Sequence, residues 1–177
     1  VAREKIKYIQ TELEKIEYTL RYLEVNQQYL NATELYTRPI IERRFVTLDY
    51  TGDLSDIRNI EQTSAKLYSY AQSRHLSPVF PAGLILHIED NITTVKVFFE
   101  IARKDIDDAD NILIIPAGDF LCKQINLLPD TDIIQTVEET FSSKNYTDVI
   151  VSNMLLSKFQ IGTKTTELQI AIAGKEE

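Results

Sequence analysis

One cysteine in 177 residues rules out an intrachain disulfide, and Cys122 alone fits a reducing, cytoplasmic compartment. With only His75 and His87 beside that thiol, no dedicated zinc site is expected, and no cofactor of any kind. The five glycines form no phosphate loop: Thr51-Gly52-Asp53 and Pro116-Ala117-Gly118 carry one each and read as turns. No apolar run approaches the roughly 18 residues of a membrane span, and no signal peptide is visible, so no membrane partner is expected. Basic residues are outnumbered 19 to 27, a net charge of −8. They cluster only at Arg3, Lys5 and Lys7 and at the pair Arg43-Arg44, which argues against phosphate contacts with nucleic acid by this chain.

What is present begins at once. Ile6, Ile9, Leu13, Ile16, Leu20 and Leu23 recur at spacings of 3, 4, 3, 4 and 3. This is the a/d seam of a coiled coil over about three heptads, with Glu4, Lys5, Lys7, Glu12, Glu14 and their like on the outside. So narrow an apolar stripe has nothing to bury against in a lone helix, so residues 1–30 predict a dimerisation helix and a homodimer. The pattern is already running at Val1, with no cap residue in front, and we expect the C-terminal part of a longer protein. A connector is expected over 31–42, with Pro39 stopping the helix, and one ordinary domain over 43–175.

Within that domain a mixed pattern occurs twice. The first copy predicts a strand over 44–50, a helix from Asp53 or Ser55 to about His75, and strands over 83–89 and 94–103. The second predicts strands over 111–115 and 119–127, a helix over 130–144, and strands over 148–156 and 165–173. Both helices open on acidic residues suited to the positive helix end. The two β-α-β-β units, about seventy residues apart, suggest a duplicated module. The fold class is therefore α+β: an antiparallel sheet with helices on one face and the other face free.

Strand alternation assigns the free face. Val95, Val97, Phe99 and Ile101 form one apolar set, which leaves Phe98 and Glu100 opposite. Likewise Leu168, Ile170 and Ile172 leave Glu167 and Gln169. Either Phe120, Cys122 and Gln124 or Leu121, Lys123 and Ile125 join them. A carboxylate among aromatic rings on such a face suits an organic cation, though a glutamate on the polar face of a strand can equally be only solvated. Tyr50 and Tyr68 are expected as further aromatic members of the ligand site. Tyr18, Tyr22 and Tyr29 on the first helix either pack it onto the domain or line the pocket from the helix side. Enzyme readings are weak. Cys122 has no recognisable His or Asp partners, and Glu138-Glu139 and Asp107-Asp108 read as exposed charge.

The heptad helix comes first, then Tyr50-Thr51-Gly52 before a helix, Pro81-Ala82-Gly83 and Ile115-Pro116-Ala117-Gly118 before strands, and the close Glu167-Leu168-Gln169-Ile170-Ala171-Ile172. This order resembles the C-terminal half of MerR-family transcription regulators of the multidrug-sensing kind, whose effector domain is GyrI-like. The resemblance implies a helix pairing antiparallel across a homodimer. It also implies a pocket for small aromatic, cationic effectors, with DNA and RNA polymerase reached only through an N-terminal winged helix-turn-helix absent from this sequence. The family's closing strand reads Glu-x-x-x-Pro-x with the Glu in the drug pocket. Glu167 falls on that position, Ala171 stands where the Pro would be, and Glu100 is its counterpart in the first copy. The alternatives are a GyrI-like hydrolase of small molecules and a protein interaction module.

Overall fold

The computed structural model describes residues 1–103, 105–106, 111–128, 130–153 and 166–173. The uninterrupted heptad run folds as one helix, α1 (Ala2–Asn26), which ends in a 3-10 turn over Gln27–Tyr29. Among the described residues eight strands and two more helices follow. They are β1 (Tyr36–Ile40), β2 (Arg43–Tyr50), α2 (Ile57–Ser73), β3 (Pro78–Glu89), β4 (Ile92–Ile101), β5 (Ile112–Ile115), β6 (Gly118–Ile125), α3 (Ile133–Thr140), β7 (Asp148–Asn153) and β8 (Thr166–Ala171).

Local chemistry sets the boundaries. Asp56 caps α2 by accepting from the Asn59 N–H at 3.1 Å, and Asp132 caps α3 by accepting from the Gln135 N–H at 3.0 Å. β3 turns into β4 through Asp90 and Asn91, at φ 50° and 63°, the left-handed pair of a two-residue hairpin. α3 is shorter than the expected 130–144. The expected residues 154–156 of β7 and residue 165 of the last strand lie outside the described residues, as do Asp107, Asp108 and residues 174–175. The stretch read as a connector contains a strand: β1 pairs antiparallel with β6, Pro39 opposite Asp119. Proline is tolerated there because β1 is an edge strand.

All strands form one antiparallel sheet in the order β1-β6-β8-β7-β3-β4-β2-β5. The order is symmetric about its centre. β2-α2-β3-β4 and β6-α3-β7-β8 are the two copies, joined where β3 pairs with β7, and β5 and β1 flank them. At that seam the backbones touch. A Cβ on Gly83 would lie 1.8 Å from the Val151 carbonyl oxygen, so only glycine fits.

α2 and α3 bury Ile60, Leu67 and Ala71, and Ile133, Val137 and Phe141, against one face of the sheet, where Val46, Leu84, Leu86, Val97 and Leu168 meet them. The second face carries Phe45, Ile85, Phe98, Phe120, Cys122 and Ile150. Sequence reasoning expects this face free, and it is not. The C-terminal half of α1 packs over it, because Tyr18, Tyr22 and Asn26 share one side of the helix. At 100° per residue, Ile9, Leu13, Ile16 and Leu20 fall on the opposite side and stay between 52 and 61 % exposed. Ile6 is equally exposed, while Leu23 is half-buried. Among the described residues no helix is long and apolar enough to cross a membrane.

Candidate functional site

A cavity of about 170 Å³ lies between α1 and the second face of the sheet. Tyr18, Arg21, Tyr22 and Val25 wall it on the helix side. Ile40 and Ile41, at and just beyond the end of β1, and Pro81 in β3 give it apolar surface. Arg38, Arg43, Glu100 and Gln169 close its sheet side.

Alternation places Phe98, Glu100, Glu167 and Gln169 on this face, as expected, and all four are buried. Their surroundings differ. Glu100 and Gln169 reach the cavity wall. Phe98 stacks on Phe45, ring centroids 4.2 Å apart, beneath it. Glu167 has no exposed surface, and its carboxylate is saturated by donors. Arg38 Nη2 donates to Oε1 at 2.7 Å, Gln169 Nε2 donates to the same oxygen at 2.6 Å, and the Tyr36 hydroxyl donates to Oε2. Arg38 Nη1 in turn donates to Asn26 Oδ1, which ties this ion pair to the end of α1. Of the two sets offered by β6, Phe120, Cys122 and Gln124 join the face. Cys122 is fully buried, and burial pushes its thiol up to about 12, so it is a core group there.

Glu100 is held differently. Its partner is the Tyr18 hydroxyl, which donates to Oε1 across from the helix. Burial pushes the Glu100 carboxyl up to about 7, even though the Tyr18 hydrogen bond and the charges of Arg43 and Arg38 pull it down. Burial and the same carboxylate hold the Tyr18 phenol well above its ordinary range, so Tyr18 remains a donor. Arg43 lies over two rings, its guanidinium carbon 5.2 Å from the centroid of Phe45 and 5.0 Å from that of Phe120.

Two expected ligand residues lie elsewhere. Tyr50 and Tyr68 are on the helix-covered side of the sheet, in the core with α2. Tyr50 shares the parity of Val46 and Leu48 on β2 and donates its hydroxyl to the Asp53 carbonyl at 2.6 Å. Tyr68 stands edge-on to Phe99 at 5.5 Å. The thickness of the sheet separates both from Glu100. Sequence reasoning missed Arg38 and Arg43 as site residues. Arg38 lay in the supposed connector, and Arg43 looked like one half of a surface basic pair. The available signal was Arg43's parity with Phe45, which puts it on the aromatic face. Among the described residues no three His, Cys, Asp or Glu side chains gather as a metal site.

No protein-family model matches the sequence, and no curated protein sequence does. Solved structures match by fold. The EcmrR chain in a cryo-electron microscopy structure of an EcmrR–DNA complex in EcmrR-RPo superposes with a TM-score of 0.57 at 12 % identity, over 96 % of this chain and 68 % of that one. A hydrolase encoded by lin2189 from Listeria innocua superposes with a TM-score of 0.50 at 11 % identity, over 86 % of this chain and 98 % of that one. With its leading helix and duplicated α+β unit, the chain shares the fold of the EcmrR chain and of the Listeria innocua hydrolase.

Proposed function

We propose that this chain is the ligand-sensing and dimerising part of a MerR-type transcription regulator. It binds a small organic effector and meets DNA and RNA polymerase only through a DNA-reading part outside this sequence. The observation that carries this reading is that the cavity is shared. Its sheet wall belongs to the domain, and its other wall is the same helix whose far side presents Ile6, Ile9, Leu13, Ile16 and Leu20 to solvent. A molecule in the cavity therefore touches the dimerisation helix directly. Only a ligand with different affinities for two positions of that helix can shift the state of the dimer, and a wall made of the helix supplies such a difference.

The multidrug-type cationic effector implied by the resemblance rests on Glu100 and Glu167. Aromatic and apolar walls support a flat organic molecule. Glu167, however, is already neutralised by Arg38, which leaves Glu100 as the one carboxylate in the cavity wall among the described residues.

A hydrolase with this fold supports a second reading, in which Glu100, with proton affinity near neutrality, acts as a general base. The docking of another protein on the sheet face fits less well, because α1 already occupies it. The test is a thermal-shift screen of the purified chain with the ligand's mass recorded after incubation. A sensor is stabilised and returns the compound unchanged. Turnover of the compound would replace this reading with the enzyme.

A further inference from the structure

Arg43 is 6 % exposed, in the wall of the cavity, with part of its hydrogen-bonding capacity unused. Nη1 donates to Gln169 Oε1 at 2.9 Å, but Nε and Nη2 meet no acceptor. These two nitrogens are the parallel donors along one edge of the guanidinium. That edge matches the two oxygens of a carboxylate. A buried cation without an acceptor is costly, and native structures seldom leave such groups unmet.

Glu100 and Glu167 favour its charge from a distance, but among the described residues no acceptor reaches the Nε–Nη2 edge. Glu167 is spent on Arg38, Tyr36 and Gln169. Glu100 is taken by Tyr18 and exists in part as the neutral acid at neutral pH. Arg21 adds a further positive charge at the wall. The charged side chains of the wall are thus three arginines and one glutamate, and the remaining surface is largely apolar, from Val25, Pro39, Ile40, Ile41 and Pro81.

We propose that the effector is an amphipathic anion: a compact apolar or aromatic body carrying one carboxylate, which the Nε–Nη2 edge of Arg43 grips in bidentate fashion. This rests on the ligand-sensing reading above and specifies the chemical class of its ligand. The volume agrees, since an engineered cavity of about 150 Å³ takes up benzene. The guanidinium carbon of Arg43 lies over the rings of Phe45 and Phe120, at 5.2 and 5.0 Å from their centroids, and these contacts help hold the group in place.

The test compares three probes on one naphthalene body, the near-isosteres 2-naphthoate and 2-naphthamide and the bulkier naphthyl-trimethylammonium cation, by calorimetric titration of the full chain. It uses wild type, Arg43→Lys and Arg43→Met, each checked for native circular dichroism and melting. The expected result is saturable binding of 2-naphthoate at least about tenfold tighter than of the amide. Arg43→Lys should lose about tenfold, because it keeps the charge and loses the fork, and Arg43→Met should lose the preference for the acid over the amide. If Arg43→Met does not fold, the acid-to-amide ratio on wild type and Arg43→Lys decides. Equal binding of acid and amide, or an unchanged ratio in the folded variants, overturns the proposal. Tight binding of the ammonium salt alone overturns it too but leaves the sensor standing. Binding of none of the three by the folded chain counts against both readings.

Discussion

Glu100 makes the stability of this protein fall as pH rises. Its carboxyl is buried beside Tyr18 and Arg43 and holds its proton up to about pH 7, whereas in the unfolded chain it releases it near the ordinary carboxylate pKa. Between those values the folded state binds the extra proton, so protonation favours folding and ionisation opposes it. The separation corresponds to about 3 kcal/mol of stability, fully present near pH 4.5 and lost as pH rises through 7. Other groups titrate in the same range, so the quantity to measure is a difference. Urea denaturation of wild type and Glu100→Gln at several values from about pH 5 to 8 isolates it. Glu100→Gln gains on wild type as pH rises, by most of that 3 kcal/mol. The groups around the carboxylate set a second expectation. Tyr18 from α1 lowers its pKa by hydrogen bonding, and Arg43 from β2 and Arg38 from β1 lower it by charge. Tyr18→Phe therefore moves the fall in stability to higher pH. Parallel stability curves for wild type and Glu100→Gln would refute the reasoning and place Glu100 in contact with water.

Further expectations follow from the same contacts. Glu167→Gln leaves Arg38 buried without its counter-charge, so it costs about 3 kcal/mol or more in denaturant, beyond any effect on ligand; an unchanged midpoint would mean that the Arg38 pair is solvated. Gly83→Ala drives a Cβ into the Val151 carbonyl, and calorimetry should show a loss of at least about 3 kcal/mol or no folded protein. Leu13→Glu with Leu20→Glu charges the exposed seam of α1; sedimentation should show a dimer for wild type and a folded monomer for the double variant.

The sequence was most legible where one physical rule acts alone. Strict alternation put Phe98, Glu100, Glu167 and Gln169 on one face without knowledge of the pairing, because a strand has only two sides. The duplication likewise appears as the symmetric strand order. Alternation applied to Tyr50 would have put it with Val46 and Leu48 on the helix side, and the buried stripe of α2 would have taken Tyr68 the same way. What remained hidden depends on contacts far apart in the chain. β1 was masked by Pro39, whose missing N–H matters only if a strand lies on both sides. The position of α1 over the sheet was legible in Tyr18 and Tyr22, read as packing the helix or lining a pocket and found doing both, but not in the heptads, whose seam faces the other way. The arginines escaped because a charge in a connector reads as solvated. Only the fold shows Arg38 on Glu167 and Arg43 over the rings of Phe45 and Phe120.

The site we propose for a small molecule lies between α1 and the sheet. Val25 lines that cavity and is more than half exposed, so Val25→Trp obstructs it with little strain on the core. The decisive measurement is a thermal-shift screen of wild type and Val25→Trp against the same small organic acids, amides and amines. A ligand at about a hundred times its dissociation constant adds about 2.7 kcal/mol, a rise of roughly 5–10 °C. Wild type should show that rise, and the folded Val25→Trp should lose it. Equal shifts in both proteins, or none in wild type with any compound, would contradict it.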